Sequence, residues 1–182
     1  VRITHNEINQ LFNDSRGLIW IATREGLNVY NVKRGKVRSL YDVMPDNGGI
    51  IAGVEEDKNG DMWITSASQL VHLNVRKDNN GEYSFVSHVY NDKDGLQNCD
   101  FNLRSIHRLN NGAILAGGLY GINVFSPENV HYNKSLPKVL FTGLSLFNEE
   151  VQVGERVGGR VLLPETLNSM GKLTLDYAQN IF

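Results

Sequence analysis

The chain has 182 residues, 41% of them hydrophobic, and its 18 Lys+Arg against 20 Asp+Glu leave a formal charge of −2. That balance excludes wholesale disorder and a nucleic-acid binder working through a basic stripe, and no apolar run nears the ~18 residues of a membrane helix. The single cysteine, Cys99, cannot form an internal disulfide or a four-cysteine metal site.

Glycine, with 18 residues against 4 prolines, exceeds the usual share of about 7% and points to many tight turns. The first predicted strand covers residues 8–12 and runs into the turn Asn13-Asp-Ser-Arg-Gly17. An apolar strand follows, Leu18-Ile-Trp-Ile-Ala22, then Gly26, an alternating strand Leu27-Asn-Val-Tyr30 and a polar outer strand over 36–41. The order then returns: strand 50–56, turn Asp57-Lys-Asn-Gly60, strand Met62-Trp-Ile-Thr65, Gln69 where Gly26 stood, and an outer strand over 83–90. It returns again: strand 103–109, turn Asn110-Asn-Gly112, Leu115 in the tryptophan place, and Ile122-Asn-Val-Phe125 after Gly121. Asx-plus-Gly is a hairpin signal, because positive φ is cheap for Gly and tolerated by Asn and Asp.

Gly17, Gly60 and Gly112 lie 43 and 52 residues apart, and both Trp20, Trp63, Leu115 and Gly26, Gln69, Gly121 keep those offsets. A period near 40–50 with four antiparallel strands per copy is that of propeller blades. No segment of a dozen residues sustains helical periodicity, so the chain is read as all-β: a partial β-propeller of about three four-stranded blades.

The pattern Asp14-x-x-Gly-x-Ile-Trp-Ile-x-Thr-x-x-Gly-Leu-x-x-Tyr30 resembles the two-component regulator propeller repeat, with departures at Gln69 and Leu115 in the later copies. The stretch Asp94-Gly-Leu-Gln-Asn-Cys-Asp-Phe-Asn102, with Gly117-Gly-Leu-Tyr-Gly-Ile-Asn-Val-Phe-Ser-Pro127, resembles the last blade of such sensors. Leu136-Pro-Lys-Val-Leu-Phe-Thr-Gly-Leu-Ser-Leu-Phe-Asn148 and Leu173-Thr-Leu-Asp-Tyr-Ala-Gln-Asn-Ile-Phe182 are similar to the beginning of a Y_Y_Y domain, an immunoglobulin-like β-sandwich. The resemblance divides the chain into blades at 1–43, 44–94 and 95–133 and a truncated sandwich domain at 137–182. In the latter, Asn148 to Gly154 reads as a hairpin and Lys172 to Tyr177 as an alternating strand.

The resemblance implies the periplasmic sensor region of a hybrid two-component system, passing a ligand signal, an oligosaccharide, to a histidine kinase and transcription regulator on a membrane-anchored parent chain. It implies a homodimer through the sandwich region, and no kinase activity, cofactor or nucleic-acid binding in this stretch. The ends at Val1 and Phe182 read as those of a piece of something longer. Three blades are too few to close a ring of about 4–8, so self-association through open blade edges is expected.

Other chemistry is weakly supported. His5, His72, His88, His107 and His131 show no metal-ligand spacing, and His72 reads as packed or interfacial. An EF-hand register on Gly60 puts Glu55, Asp57 and Asn59 in ligand places but Ser66 where a bidentate Glu belongs. Gly117-Gly-Leu-Tyr-Gly121 lacks the phosphate-loop spacing, Cys99 has no indicated histidine partner, and no Gly-x-Ser-x-Gly elbow occurs.

Trp20 and Trp63 read as core. The turns at Arg24-Glu25, Ser66 to Ser68 and Leu119-Tyr120 are where a ligand would be met, with Arg24 bonding sugar hydroxyls and Tyr120 stacking on a sugar face. The alternatives are a stand-alone propeller scaffold for protein or glycan binding and, less favoured, a propeller lyase or hydrolase.

Overall fold

The computed structural model describes residues 2–45, 49–97, 100–130 and 138–177. They fall into two compact units, Val1–His131 and Tyr132–Phe182, each with its own hydrophobic core.

In the first unit, β1 (Ile8–Asn13), β2 (Leu18–Thr23), β3 (Gly26–Asn31) and β4 (Lys36–Ser39) form an antiparallel meander. It is repeated by β5 (Ile51–Glu56), β6 (Met62–Ser66), β7 (Leu70–Lys77) and β8 (Tyr83–Tyr90). A third sheet joins β9 (Phe101–Arg108), β10 (Ile114–Gly118) and β11 (Gly121–Phe125). It has three strands among the described residues, one fewer than expected. After β11 the chain enters a 3-10 turn at Pro127–Asn129, where proline offers no N–H to a ladder.

Local chemistry explains the turns. Gly17, Gly60 and Gly112 sit at φ 82°, 81° and 95°, a region that favours glycine. Asp14 Oδ1 accepts from the backbone of Arg16 and Leu18 at 2.9 and 2.8 Å, and Asp57 Oδ1 accepts from Asn59 and Asp61 at 2.8 and 3.0 Å.

Strand alternation then sorts the faces. Trp20, Leu27 and Val29 point at Val54, Ile64, Val71 and Leu73 of the second sheet, forming one core. Trp63 and Leu70 point at Ile106, Ile114 and Ala116 of the third, forming another. The inner strands β1, β5 and β9 pack together, so the three sheets stand as neighbouring blades of a propeller. Gly53 marks a close approach between them: a Cβ there would lie 2.7 Å from Ile106 Cγ2.

Among the described residues the second unit holds two short hairpins, β12 (Ser145–Leu146) with β13 (Glu149–Glu150) and β14 (Arg156–Val157) with β15 (Arg160–Val161), over a core of Leu146, Val151, Leu162 and Leu163. The hairpin expected from Asn148 to Gly154 turns earlier, at Phe147 and Asn148, whose φ of 54° and 66° are those of a type I′ turn. Lys172 to Tyr177 form no strand. Leu173 and Leu175 pack on the core as their alternation suggests, but the Thr174 carbonyl accepts from the Arg160 guanidinium instead of a neighbouring strand. Residues 178–182, which end the expected sandwich segment, lie outside the described residues.

Candidate functional site

The β2–β3, β6–β7 and β10–β11 turns occupy one end of the first unit, because they are the same connection in three repeats. Arg24 sits on the first, where its backbone N–H bonds the Glu7 carbonyl and its guanidinium the Glu7 carboxylate, both at 3.1 Å. Tyr41 donates to the carbonyl of the adjacent Glu25 at 3.3 Å. Tyr120 sits on the third turn at the repeat position of Glu25 and Ser68, with 64% of its surface exposed. The structure thus brings Arg24 and Tyr120 to the same end but on the first and third sheets. No hydrogen bond among the described residues links them.

Trp20 and Trp63 are fully buried, each donating through Nε1 to the aspartate that opens its hairpin: Asp14 at 2.9 Å and Asp57 at 3.1 Å. In the third repeat both partners are gone together, Leu109 standing for aspartate and Leu115 for tryptophan. His72 stacks on Trp63 with ring centres 4.3 Å apart and planes 6° from parallel. Tyr90 and Phe125 close on the same indole at 6.0 and 4.7 Å. Together with Leu70, Asp94, Leu96 and Asn123 they line a cleft of about 380 Å³ between the second and third sheets.

Behind this aromatic group, Asp57, Asp61 and His72 bring oxygen and nitrogen atoms within 4.8 Å of one another. Sequence spacing gave no sign of the cluster, because its members come from the β5–β6 turn and from β7. Its oxygens are already engaged. Asp57 accepts from two backbone amides and Trp63, while Asp61 accepts from Val75 N, Asn74 and Arg76 at 2.9, 2.8 and 2.7 Å. Burial alone would raise the pKa of Asp61; hydrogen bonds from His72, Arg76, Val75 and Asn74 outweigh it and hold the carboxyl far below the usual range. Burial, and then the nearby His72, push the pKa of His88 down. The arrangement is a closed ion-pair network that ties β7 to the β5–β6 turn. Cys99 and His131 lie outside the described residues.

One group was not singled out from the sequence. The ladders of β1, β5 and β9 slip at Asn9, at Ala52 and around Arg104, each eight residues before its turn glycine. Arg104 takes a left-handed φ of 59° there and reaches the Asn9 carbonyl, while Asn9 reaches the Ile51 carbonyl at 2.8 Å. Gln10 adds a reciprocal pair with the backbone of Val54 at 2.8 and 3.1 Å. These polar clamps fix the inner strands and thereby the end turns. The signal was available in the repeat offsets, but a bulge leaves no compositional mark.

Comparison with known proteins agrees with the repeat. Residues 2–25 match the family model of the two component regulator propeller. The chain is 27% identical over 224 aligned residues to histidine kinase P4 of Formosa agariphila, covering 96% of this chain and 16% of that protein. It superposes on the extracellular domain of BT3049 from B. thetaiotaomicron, assigned to a hybrid two component system, with a TM-score of 0.58 and 20% identity. That match covers 84% of this chain and 21% of the other, and it shows the propeller fold. The chain therefore spans only a small part of either relative.

Proposed function

We propose that this chain is part of the periplasmic sensor region of a membrane-anchored hybrid two-component system, and that it carries a ligand signal to a histidine kinase on the same parent chain. The observation that carries the reading is the similarity to histidine kinase P4 along 96% of the chain, supported by the regulator-propeller repeat at residues 2–25. In this reading the propeller blades receive the signal, and Tyr132–Phe182 begins the sandwich module through which parent chains pair and relay it. This stretch performs no catalysis.

The ligand is an oligosaccharide met at the exposed end turns. The Tyr120 ring there offers a flat apolar face, and Arg24 offers hydrogen-bond donors to hydroxyl groups. Signalling then requires two arrangements of the parent that the sugar binds unequally.

Calorimetry of the chain against a panel of linear neutral and acidic oligosaccharides tests the reading. Binding of one class, weakened about tenfold by Tyr120→Ala or Arg24→Ala, supports it (each loss amounts to ~1.4 kcal/mol). Binding unchanged in both variants refutes the assigned contacts, and no binding to any sugar refutes the ligand class for this stretch.

A further inference from the structure

Arg104 occupies a backbone conformation that suits glycine better than arginine. It lies in β9 at a left-handed φ of 59°, where the ladder to β10 is broken. A residue with a Cβ is strained there, and such outliers persist where the surroundings hold them for a purpose. Asn9 and Ala52, at the same repeat position in the first and second sheets, do not share the left-handed φ. The bulge itself therefore does not impose the strain, which belongs to Arg104 alone of the three.

The exposed guanidinium of Arg104 is only partly engaged. Its Nε donates to the Asn9 carbonyl, whereas Nη1 and Nη2 have no hydrogen-bond partner among the described residues. One exposed hydrogen bond does no more than offset the backbone cost, so clamping Asn9 gives arginine no advantage over glycine. Something must use the rest of the side chain.

The reach of Arg104 shows where that use lies. Asn9 is two residues from Glu7, whose carbonyl and carboxylate hold Arg24 on the β2–β3 turn. At its other side β9 runs beside the β10–β11 turn of Tyr120, with Phe101 opposite Gly118 and the Asp100 carbonyl accepting from Leu119 at 3.0 Å. Arg104 thus starts on the sheet of Tyr120 and ends on the segment that holds Arg24, bridging the two. Glu7 answers the charge of Arg24, but among the described residues no carboxylate pairs with Arg104.

We propose that Arg104 is the anion-binding group of the end-turn site, and that the sugar met there is acidic, carrying a carboxylate or a sulfate ester. The inference rests on the sugar-binding reading above and narrows its ligand class. Paired N–H groups on Nη1 and Nη2 match two oxygens of such an anion, and charge-assisted bonds of this kind favour it over a neutral hydroxyl.

Calorimetry of the 182-residue chain with an oligogalacturonate, a sulfated galacto-oligosaccharide and a neutral galacto-oligosaccharide of equal length tests it. At least one acidic sugar should bind about tenfold tighter than the neutral one, and the two acidic arms separate carboxylate from sulfate. Arg104→Gly should abolish that preference and leave the urea midpoint equal or higher, because glycine accepts the left-handed backbone. Arg104→Lys keeps the charge without the Nε donor, so it should retain part of the preference. Equal affinity for acidic and neutral sugars, or a preference that survives Arg104→Gly, would overturn the inference while leaving the sugar-binding reading in place. A preference lost equally in the Lys and Gly variants would assign the effect to the Asn9 bond and also overturn it. Binding of none of the three sugars would overturn the ligand class and this inference together.

Discussion

At Asp57 one side chain serves three donors: the backbone amides of Asn59 and Asp61 and the buried indole of Trp63. Removing it orphans all three, so Asp57→Ala should lower unfolding stability by about 2–4 kcal/mol. Trp63→Phe removes one of those donors in advance, and the double variant should therefore cost less than the sum of the singles, with a coupling of about 1 kcal/mol in urea titrations. Strict additivity would mean that the Asp57–Trp63 bond adds nothing beyond packing. The joint replacement in the third repeat, Leu109 with Leu115, is what this coupling predicts: a buried polar pair is kept or lost as a unit. The repeated Asp and Trp were legible in the sequence, but their bond was not, because a six-residue separation across a hairpin names no partner. Asp61 gives a pH test. Its carboxyl titrates lower in the folded chain than in the unfolded one, so the ionised form stabilises above the unfolded value of about 3.9 and that stabilisation is lost as pH falls through the folded value. Asp61→Asn should cost about 2 kcal/mol at neutral pH, a figure tempered by the exposed Arg76 guanidinium, and the gap from wild type should begin to narrow below about pH 4 and close only as pH falls through the lower folded value. A gap that does not change with pH would mean that the charge of Asp61 contributes no stability.

Among the elements, β5 is closely constrained, since it packs between β1 and β9. Gly53→Ala would set a methyl 2.7 Å from Ile106 Cγ2, 3.1 Å from Thr65 Oγ1 and 3.3 Å from Gln10 Oε1. Neither Ile106 in its core nor Gln10, held by Val54, can retreat freely, so the substitution should destabilise by about 1–3 kcal/mol in chemical unfolding. Ile106→Ala removes the methyl that clashes and should recover part of that loss in the double variant, although it opens a cavity on its own. If Gly53→Ala is neutral, the inner strands are looser than this packing implies. Strand order and turns in this unit could be read beforehand because alternation and Asx-Gly turns are local. The outer strand over 83–90 came out as expected, while β9 begins two residues before its predicted start, since the break around Arg104 lets Phe101 rejoin the ladder opposite Gly118. The same reasoning failed at Lys172 to Tyr177 because alternation selects a buried face and leaves the hydrogen-bonding neighbour unspecified. Arg24 and Tyr120 could be placed on turns from sequence, but their separation on the first and third sheets could not, since it depends on how the sheets fan.

The two units of the molecule differ sharply in how much structure each can support. Among the described residues, the first unit joins three sheets through two cores, whereas the second rests on four buried apolar residues and four two-residue strands. A core that small rarely supplies more than about 3–5 kcal/mol, so the second unit should open first. The chain carries its own reporter of the difference. Both tryptophans, Trp20 and Trp63, lie in the first unit, and the sequence contains only these 2. Tryptophan emission in a urea titration should therefore follow the first unit alone, while hydrogen exchange over residues 138–177 follows the second. The exchange-monitored midpoint should fall at clearly lower urea than the emission midpoint, and a chain ending at His131 should keep the emission curve unchanged. Coincident midpoints, lost together on truncation, would mean that the two units fold as one body. Separate midpoints would mean that the first unit keeps its blades while the second opens and closes, which is the mechanical independence a relay between two modules requires.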